Sequence, residues 1–259
     1  MALFTDTNIV TEADLLAYEG SLDSIVSSQA IDLPTKICLA TSAIGDRLLL
    51  WLLDVRASDR QWLNRRLLGL TTVVVTSLLH RWLCFETLSR VFAEAANSQL
   101  NTRFEAKLSQ YQEESGRAAN AFFRSGAGIV YRPLPRPAVP LVSVQSGPAP
   151  AQTMEIQTAW VNSLGQESGL SAVNEVTLAA NSSIAVAMSE AALNAPPAAI
   201  GWNIYAAAGP NNATRQNTAP VAVGASWELP SSGLVQGPNP IDGQQPDFYI
   251  ALSHQILRG

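Results

Sequence analysis

The sequence predicts an α + β protein with two domains, an antiparallel helical bundle followed by a β-sandwich. Three observations predict this class. Apolar residues recur every three or four positions from Thr72 to Phe123, prolines crowd residues 133–150, and apolar and polar residues alternate beyond Pro150. The expected division is a helical domain at 1–137, a proline-rich linker at 138–150, a β-sandwich at 151–239 and an extended tail at 240–259.

Charge is distributed unevenly between these parts. Up to Pro137 the sequence has 14 Lys and Arg against 14 Asp and Glu, whereas beyond it Arg215 and Arg258 stand against seven acids. The whole net charge of −5 therefore lies in the C-terminal part, which favours separate units and disfavours nucleic-acid binding there. Basic residues of the helical part cluster at Arg56, Arg60, Arg65 and Arg66. This cluster has two interpretations, a solvated helix end or a surface that faces DNA inside a ring.

Three helices are predicted before the long hairpin. Thr11 and Asp14 have the spacing of a capped helix start, and Gly20 is expected to close this first short helix. A second short helix follows at about 22–26. Pro34 suits the first turn of a longer third helix, whose inward face is predicted from helical spacing. That face consists of Ile37, Thr41, Ile44, Leu48, Trp51 or Leu52, and Val55.

Two long amphipathic helices are predicted between residues 72 and 123, joined at Asn97-Ser98-Gln99. The apolar face of the first is Leu78, Trp82, Phe85, Leu88, Phe92 and Ala95. The face of the second is Leu100, Phe104, Leu108, Tyr111, Ser115, Ala118 and Phe122. At about 1.5 Å per residue, each helix is expected to span roughly 35–40 Å, the reach of a hairpin in a bundle.

The segment after the second helix carries a family resemblance. Gly126 and Gly128 supply a helix stop, and the prolines of Ile129-Val130-Tyr131-Arg132-Pro133-Leu134-Pro135-Arg136-Pro137 hold the chain extended. A long helix ending in Ala-Phe-Phe, followed by Gly-Ile-Val-Tyr-Arg-Pro-Leu-Pro-Arg-Pro, resembles the head-to-tail adaptor (connector) proteins of tailed bacteriophages. Met1–Asp6 and Ile31–Ile37 also resemble the opening of that family.

The resemblance implies a structural role in the neck of a virion. Adaptors of this kind form a ring, usually of twelve copies, between the portal protein and downstream tail, tail-fibre or tailspike proteins. DNA would pass through the ring without sequence-specific binding. Because Met1–Asp6 lacks the charges and apolar run of a signal peptide, the protein is expected to be made in the host cytoplasm. No membrane contact is expected, since the longest apolar run, Leu67–Leu79, is too short to span a bilayer.

Short strands between turn signals predict the β-sandwich. Met154, Ile156, Thr158 and Trp160 alternate before a turn at 162–168, and further strands are expected at 173–178, 184–188 and 200–205. Trp160–Ser168 with Ser171 resembles the last hairpin of a fibronectin type III domain, and Gly201–Tyr205 resembles its third strand. This order is permuted, so the domain is either a permuted copy or immunoglobulin-like with its own topology. Within the linker, Val139, Leu141, Val142 and Val144 could instead pair as a strand.

Catalysis is not expected. The two histidines, His80 and His254, are interpreted as surface or satisfied side chains, and no motif of a hydrolase elbow, zinc protease or nucleotide-binding loop is present. The carboxylates lack the spacing of metal ligands, so neither a metal nor a cofactor is expected. Cys38 and Cys84 lie on apolar helical stretches and are expected to be free thiols.

Two extended segments are the candidate assembly contacts: Ile129, Val130 and Tyr131 after the hairpin, and Phe248, Tyr249 and Ile250 near the C-terminus. We expect them to order against a neighbouring subunit or the portal by strand addition.

Other functions are open to a β-sandwich. It could be a carbohydrate- or surface-binding module if Trp202, Tyr205 or Trp227 were exposed and stacked on sugars, although core packing is the expected role of these rings. A third hypothesis, an accessory domain of a secreted hydrolase, has neither an export signal nor an acid pair in its favour.

Overall fold

The computed structural model describes residues 1–7, 9–58, 69–97, 102–190, 194–209, 212–241 and 243–251, with no side chains described for 55–58. It has a helical region followed by antiparallel β-sheets, which confirms the two-part α + β class. The helices are α1 (Glu12–Leu16), α2 (Leu22–Ser28), α3 (Leu33–Ser58), α4 (Ser77–Asn97) and α5 (Glu105–Ser125). The structure does not describe the side chain of Arg56, the other cluster residues Arg60, Arg65 and Arg66, residues 98–101 between the long helices, or His254.

The α4–α5 hairpin packs the apolar faces that helical spacing predicts. Trp82, Phe92 and Phe122 are fully buried, and their rings continue into a chain of aromatic contacts along both helices. Phe92 stacks on Tyr111 with ring centroids 5.3 Å apart, and Trp82 lies 5.9 Å from Phe122. Each helix has 21 residues and is therefore about 31 Å long, shorter than the 35–40 Å expected.

The third helix, α3, has one buried face and one apolar face that no described residue covers. Ile44, Leu48 and Leu52 are buried, as predicted, and Trp51 joins them at 6% exposure. The exposed side carries four leucines: Leu39, Leu49, Leu50 and Leu53. Leucines are placed all round this helix, so helical spacing finds the buried face but does not account for the exposed one.

The strands of the C-terminal region form two antiparallel sheets. The first has the order β2 (Leu141–Ala149), β5 (Ser182–Ala187), β9 (Trp227–Glu228). The second has the order β4 (Asn174–Leu178), β3 (Gln152–Asn162), β6 (Ala199–Ala208), β7 (Thr214–Arg215), and β8 (Val221–Ala222) also pairs with β6. Strand β2 occupies most of the range expected as a linker, and thus the alternative interpretation of that segment as a strand is the one found.

One apolar cluster contains residues from both sheets. Ile184 and Val186 of β5 share it with Ile156 of β3 and with Trp202 and Ile204 of β6, and all five are fully buried. Residues 201–207 of β6 are all buried, so both faces of this strand are covered, and its edges pair with β3 on one side and with β7 and β8 on the other. The core of the β region is therefore organised around β3 and β6.

Contacts divide the chain into two units whose limits cross the sequence order. One unit contains Met1–Asp6 with Arg132–Gln245, and the other contains Thr7–Tyr131 with Pro246–Gly259. In the first unit, the backbone N–H of Arg136 donates to Asp6 Oδ1 at 2.8 Å. Burial raises the pKa of Asp6 despite the opposing effect of that hydrogen bond. The expected boundary at 137 lies five residues beyond Arg132, and both chain ends belong to the unit built mainly by the other part of the sequence.

None of the described helices is both long and apolar enough to cross a membrane. Nor do the described residues bring together three or more His, Cys, Asp or Glu side chains in a group that could hold a metal ion.

We expect Trp82→Ala to lower the free energy of unfolding by about 3–5 kcal/mol, because it leaves a large cavity between α4 and α5. Trp82→Phe is the control. The indole Nε1 of Trp82 is buried with no partner among the described residues, so Phe loses volume but no hydrogen bond. Urea unfolding should show a much smaller loss for Phe than for Ala; equal losses would contradict a packing role.

Candidate functional site

The two predicted assembly segments lie together and pair with each other. Strand β1 (Ala127–Ile129) runs antiparallel to β10 (Phe248–Ile250), with Gly128 opposite Tyr249 and Ile129 opposite Phe248. Residues more than a hundred positions apart in sequence therefore form one small sheet. Each segment, expected to order against a neighbour, already has a partner within its own chain.

The inner strand β1 has hydrogen-bonding partners on both edges. On one side, Val74 N–H donates to Gly128 O at 2.9 Å and Val130 N–H donates to Thr72 O at 2.9 Å. On the other side, Asp247 N–H donates to Ile129 O at 2.9 Å. A strand with both edges engaged has no position for a third partner. Any strand addition here must therefore use β10.

The outer edge of β10 has no partner strand among the described residues. Backbone groups of successive residues in a strand point to opposite edges, and those of Gly128 and Val130 point toward Thr72 and Val74. Tyr249, opposite Gly128, therefore directs its own N–H and C=O away from β1. This short edge is the place at which a further extended segment could add.

Burial separates the six candidate residues into two groups. Ile129 and Val130 are fully buried and Ile250 is 8% exposed, so these side chains hold the small sheet in its own unit. Tyr131 is 60% exposed and Tyr249 57% exposed. The Tyr131 ring also lies 4.7 Å from that of Phe248, centroid to centroid. The side chains open to a partner are chiefly the two tyrosines.

Asp247 and Gly128 hold this sheet together, and neither was singled out as a contact in the sequence. Asp247 Oδ2 accepts from the backbone N–H of Tyr131 at 2.8 Å, beside the bond from its own N–H to Ile129. At Gly128 a Cβ atom would lie 2.7 Å from Pro246 Cγ and 3.2 Å from Thr76 Cγ2. Pro246, which lies just before β10, thus packs directly against the backbone of Gly128.

A buried carboxylate in the helical unit fastens α5 to the turn after α1. Glu19 Oε2 accepts from Lys107 Nζ at 2.7 Å and from the Tyr111 hydroxyl at 2.8 Å, and Oε1 accepts from Ser21 Oγ at 2.5 Å. Burial by itself would raise the pKa of Glu19, but these donors lower it to about 2. Burial and the hydrogen bond to Glu19 raise the pKa of Tyr111. The arrangement is a satisfied ion pair, without a free acid or base.

A second buried carboxylate lies in the β unit. Glu167 is 5% exposed and accepts from Asn203 Nδ2 at 2.6 Å and from the Tyr205 hydroxyl at 2.5 Å. Arg215 Nη1 lies 3.8 Å from Glu167 Oε1. Burial, followed by the hydrogen bond to this carboxylate, raises the pKa of Tyr205. Each oxygen of Glu167 has a donor, so the group connects the hairpin after β3 to β6.

His80 has a partner that the sequence did not indicate. Its Nε2 lies 3.5 Å from Asp14 Oδ2, and its Nδ1 lies 3.9 Å from Cys84 Sγ. Cys84, His80 and Asp14 are the residue types of a cysteine nucleophile, its base and the group that orients the base. Burial, however, raises the pKa of the fully buried Cys84 thiol to about 12. A thiol with that pKa is not a nucleophile near neutral pH. The contact instead joins α1 to α4.

The three aromatic residues proposed as sugar platforms differ in exposure. Trp202 is fully buried and Tyr205 is 1% exposed, which confirms the expected core packing for both. Trp227 of β9 is partly buried and packs against the core cluster. Neither of the first two rings offers a face on which a sugar could stack.

Comparison of the chain with protein-family models, with curated proteins and with solved structures gives no match.

We expect Gly128→Ala to loosen residues 246–251 from β1, because the added methyl collides with Pro246. Amide hydrogen exchange at Phe248 and Ile250 should accelerate. Gly116→Ala is the control, since nothing lies within 4 Å of a Cβ there and α5 should gain up to about 1 kcal/mol from the better helix former. Unchanged exchange in Gly128→Ala would contradict the close approach.

The Glu19 carboxylate should make stability depend on acid pH. Because its pKa falls from 4.5 to about 2 on folding, its contribution is complete above about pH 5 and is lost as the pH falls toward 2. Glu19→Gln should therefore be less stable than the unaltered protein by up to roughly 3 kcal/mol at pH 7, with the difference shrinking toward pH 2. Urea titrations at several pH values measure this. The exposed Glu12→Gln is the control, and a constant difference for Glu19→Gln across pH would refute the linkage.

Proposed function

We propose that this protein is a structural virion component, one subunit of a ring-shaped head-to-tail adaptor that joins the portal to tail components. The ring would contain about twelve copies, by the family resemblance described above, and would let DNA pass without sequence-specific contacts. The protein would reside in the neck or tail region of the particle.

The observation that carries this proposal is the open edge of β10 directly beside the hairpin end. The Gly-Ile-Val-Tyr-Arg-Pro motif supplies β1, whose only remaining neighbour position is filled by β10. A returning C-terminal strand with outward N–H and C=O groups suits a subunit that adds an extended segment of a neighbour or of the portal. Two exposed tyrosines, Tyr249 in β10 and Tyr131 just after β1, provide apolar contact area in the same small sheet.

The β unit supports the finer assignment of an immunoglobulin- or fibronectin-like sandwich. Its two sheets share one core cluster, as two packed sheets in a sandwich do. Strand β6, which contains the Gly-Trp-Asn-Ile-Tyr motif, is central, and β3 with its following turn pairs beside it. This arrangement is compatible with both forms of the assignment, a permuted fibronectin-type copy and an immunoglobulin-like unit with its own strand order.

The ring itself can be tested by size. The full chain, mixed with the portal protein encoded in the same genome, should form a ring of about twelve copies in negative-stain electron microscopy and native mass spectrometry. A protein that neither binds that portal nor forms a ring would refute the adaptor proposal.

The role of the β10 edge requires a variant that blocks the outer edge alone. Tyr249→Pro removes an N–H that points away from β1, so the β1–β10 pair should survive while strand addition is lost. Tyr249→Ala keeps that N–H and removes only the ring. We expect Pro to abolish portal-dependent assembly and Ala to weaken it less.

The outcomes distinguish the role of the β10 edge from the existence of the ring. If Tyr249→Pro assembles like the unaltered protein, the β10 edge is not the contact, although the ring survives as a proposal. Hydrogen exchange at Phe248 and Ile250 checks that the β1–β10 pair is intact in both variants. A loss of assembly together with fast exchange at those amides would mean that the sheet itself had opened, which would contradict the assigned direction of the Tyr249 N–H.

A carbohydrate-binding module remains the alternative function, but no specific feature of the described residues favours it, because Trp202 and Tyr205 are both buried.

A further inference from the structure

The exposed side of α3 has a groove beside its most exposed leucine. Leu50 is 64% exposed and lies at the edge of a depression of about 290 Å³. The groove is lined by Arg47, Leu50, Trp51, Asp54 and Phe123. Leu49 and Leu53, 41% and 47% exposed, extend the apolar surface along the same helix. Such a surface is unusual on a small helical unit unless something covers it.

The floor of this groove is a preformed aromatic cluster. The Trp51 and Phe123 rings lie 5.6 Å apart, and Phe123 lies 5.6 Å from Trp82. Trp51 is 6% exposed and Trp82 fully buried, so neither ring can move without disturbing the core. A rigid apolar floor of this kind accepts a branched aliphatic side chain at little cost in ordering.

The charges beside the groove have opposite sign and flank Leu50. Arg47 and Asp54 are seven residues apart on α3, which places them on one face two turns from each other, with Leu50 between them. The Arg47 guanidinium lies over the Trp82 ring at 4.7 Å, which holds it beside the groove. Among the described residues, no cation forms a salt bridge with Asp54.

The arrangement of Arg47, Leu50 and Asp54 on α3 is complementary to a second copy of itself. When two copies of α3 are placed antiparallel about a two-fold axis between positions 50 and 51, Arg47 of each copy faces Asp54 of the other. The same axis sets each Leu50 over the Trp51 of the opposite helix. An isologous contact requires this reciprocity, with one patch serving as both halves of the interface.

We propose that the full-length protein forms an antiparallel homodimer through α3, in which Leu50 of each subunit enters the groove of the other and two reciprocal Arg47–Asp54 ion pairs fix the register. Charge complementarity selects a second copy as the occupant over an unrelated apolar segment, which would leave Arg47 and Asp54 without partners. The inference is independent of the proposed ring, since it concerns the free protein.

Light scattering coupled to size exclusion, with sedimentation velocity over a range of concentrations, measures the association of the full chain. We expect a monomer–dimer equilibrium. Leu50→Glu should raise its dissociation constant at least about tenfold, since it places a charge in an apolar groove. Leu164→Glu is the matched control, because Leu164 is 72% exposed in the β unit and outside the interface.

The register is tested by charge reversal. Arg47→Asp and Asp54→Arg should each raise the dissociation constant about tenfold. Each variant puts like charges opposite each other in both of the symmetry-related 47–54 pairs. The double variant restores opposite charges and should return within about threefold of the unaltered protein. Thermal unfolding of each variant separates lost association from lost folding, and Asp54→Arg keeps the Arg47–Trp82 contact if Arg47→Asp is unstable.

Three results would overturn the proposal. The first is a monomer at every concentration, which would show that the α3 face does not bind a second copy. The second is a dimer that Leu50→Glu leaves unchanged. The third is a double charge variant no better than either single one, which would exclude the antiparallel register even if the leucine contact were real.

Discussion

Burial of α4 is the constraint on which the helical unit depends. This helix is covered on nearly every side: Trp82, Leu83, Cys84, Phe85 and Leu88 are buried in succession with little polar surface among them. A helix with apolar residues around most of its circumference must be enclosed by neighbours. Helix α5 covers one side through the aromatic chain, α3 covers another, and α1 is held to α4 through His80 and Asp14. The exposed leucines of α3 lie on the outside of this packing.

Local periodicity predicted the helices well, because each helix is specified by residues three or four positions apart. The inward residues of α4 and α5 were all found buried or partly buried where they are described, and so was the predicted face of α3. The strand positions of β3 and β6 also followed from short-range patterns. Helix length was overestimated at the starts of the helices: the hairpin was expected from Thr72 but α4 begins at Ser77, and the face of the second helix was expected from Leu100 but α5 begins at Glu105.

The long-range pairings could not be read from the sequence. Tyr131 and Asp247 are 116 positions apart, and no local signal indicates that one will cap the other. The same holds for Lys107 with Glu19, and for Arg136 with Asp6, where a backbone N–H near the middle of the chain donates to a carboxylate near the N-terminus. The six candidate contact residues were chosen for being extended and apolar. Those properties also suit residues that pair with each other within one chain. The sequence therefore could not distinguish a sheet formed inside the subunit from strands that wait for a partner subunit.

The two proposed contact surfaces, the outer edge of β10 and the groove on α3, have different symmetry requirements. A ring is built from heterologous contacts, in which each subunit uses two different patches, and the outer edge of β10 receiving an extended segment is a contact of that kind. The α3 groove with Arg47 and Asp54 is self-complementary, and an isologous contact closes after two copies. A ring of the proposed kind can therefore assemble through β10 without using α3, and free subunits can dimerise through α3 without occupying β10.

The two contacts can exist together only if the ring brings two α3 helices face to face. A single-layered cyclic ring does not do so, because its subunits all point the same way. In such a ring the α3 pair would have to separate as the subunit joins, and the exposed leucines would then be free to meet the portal or a tail component.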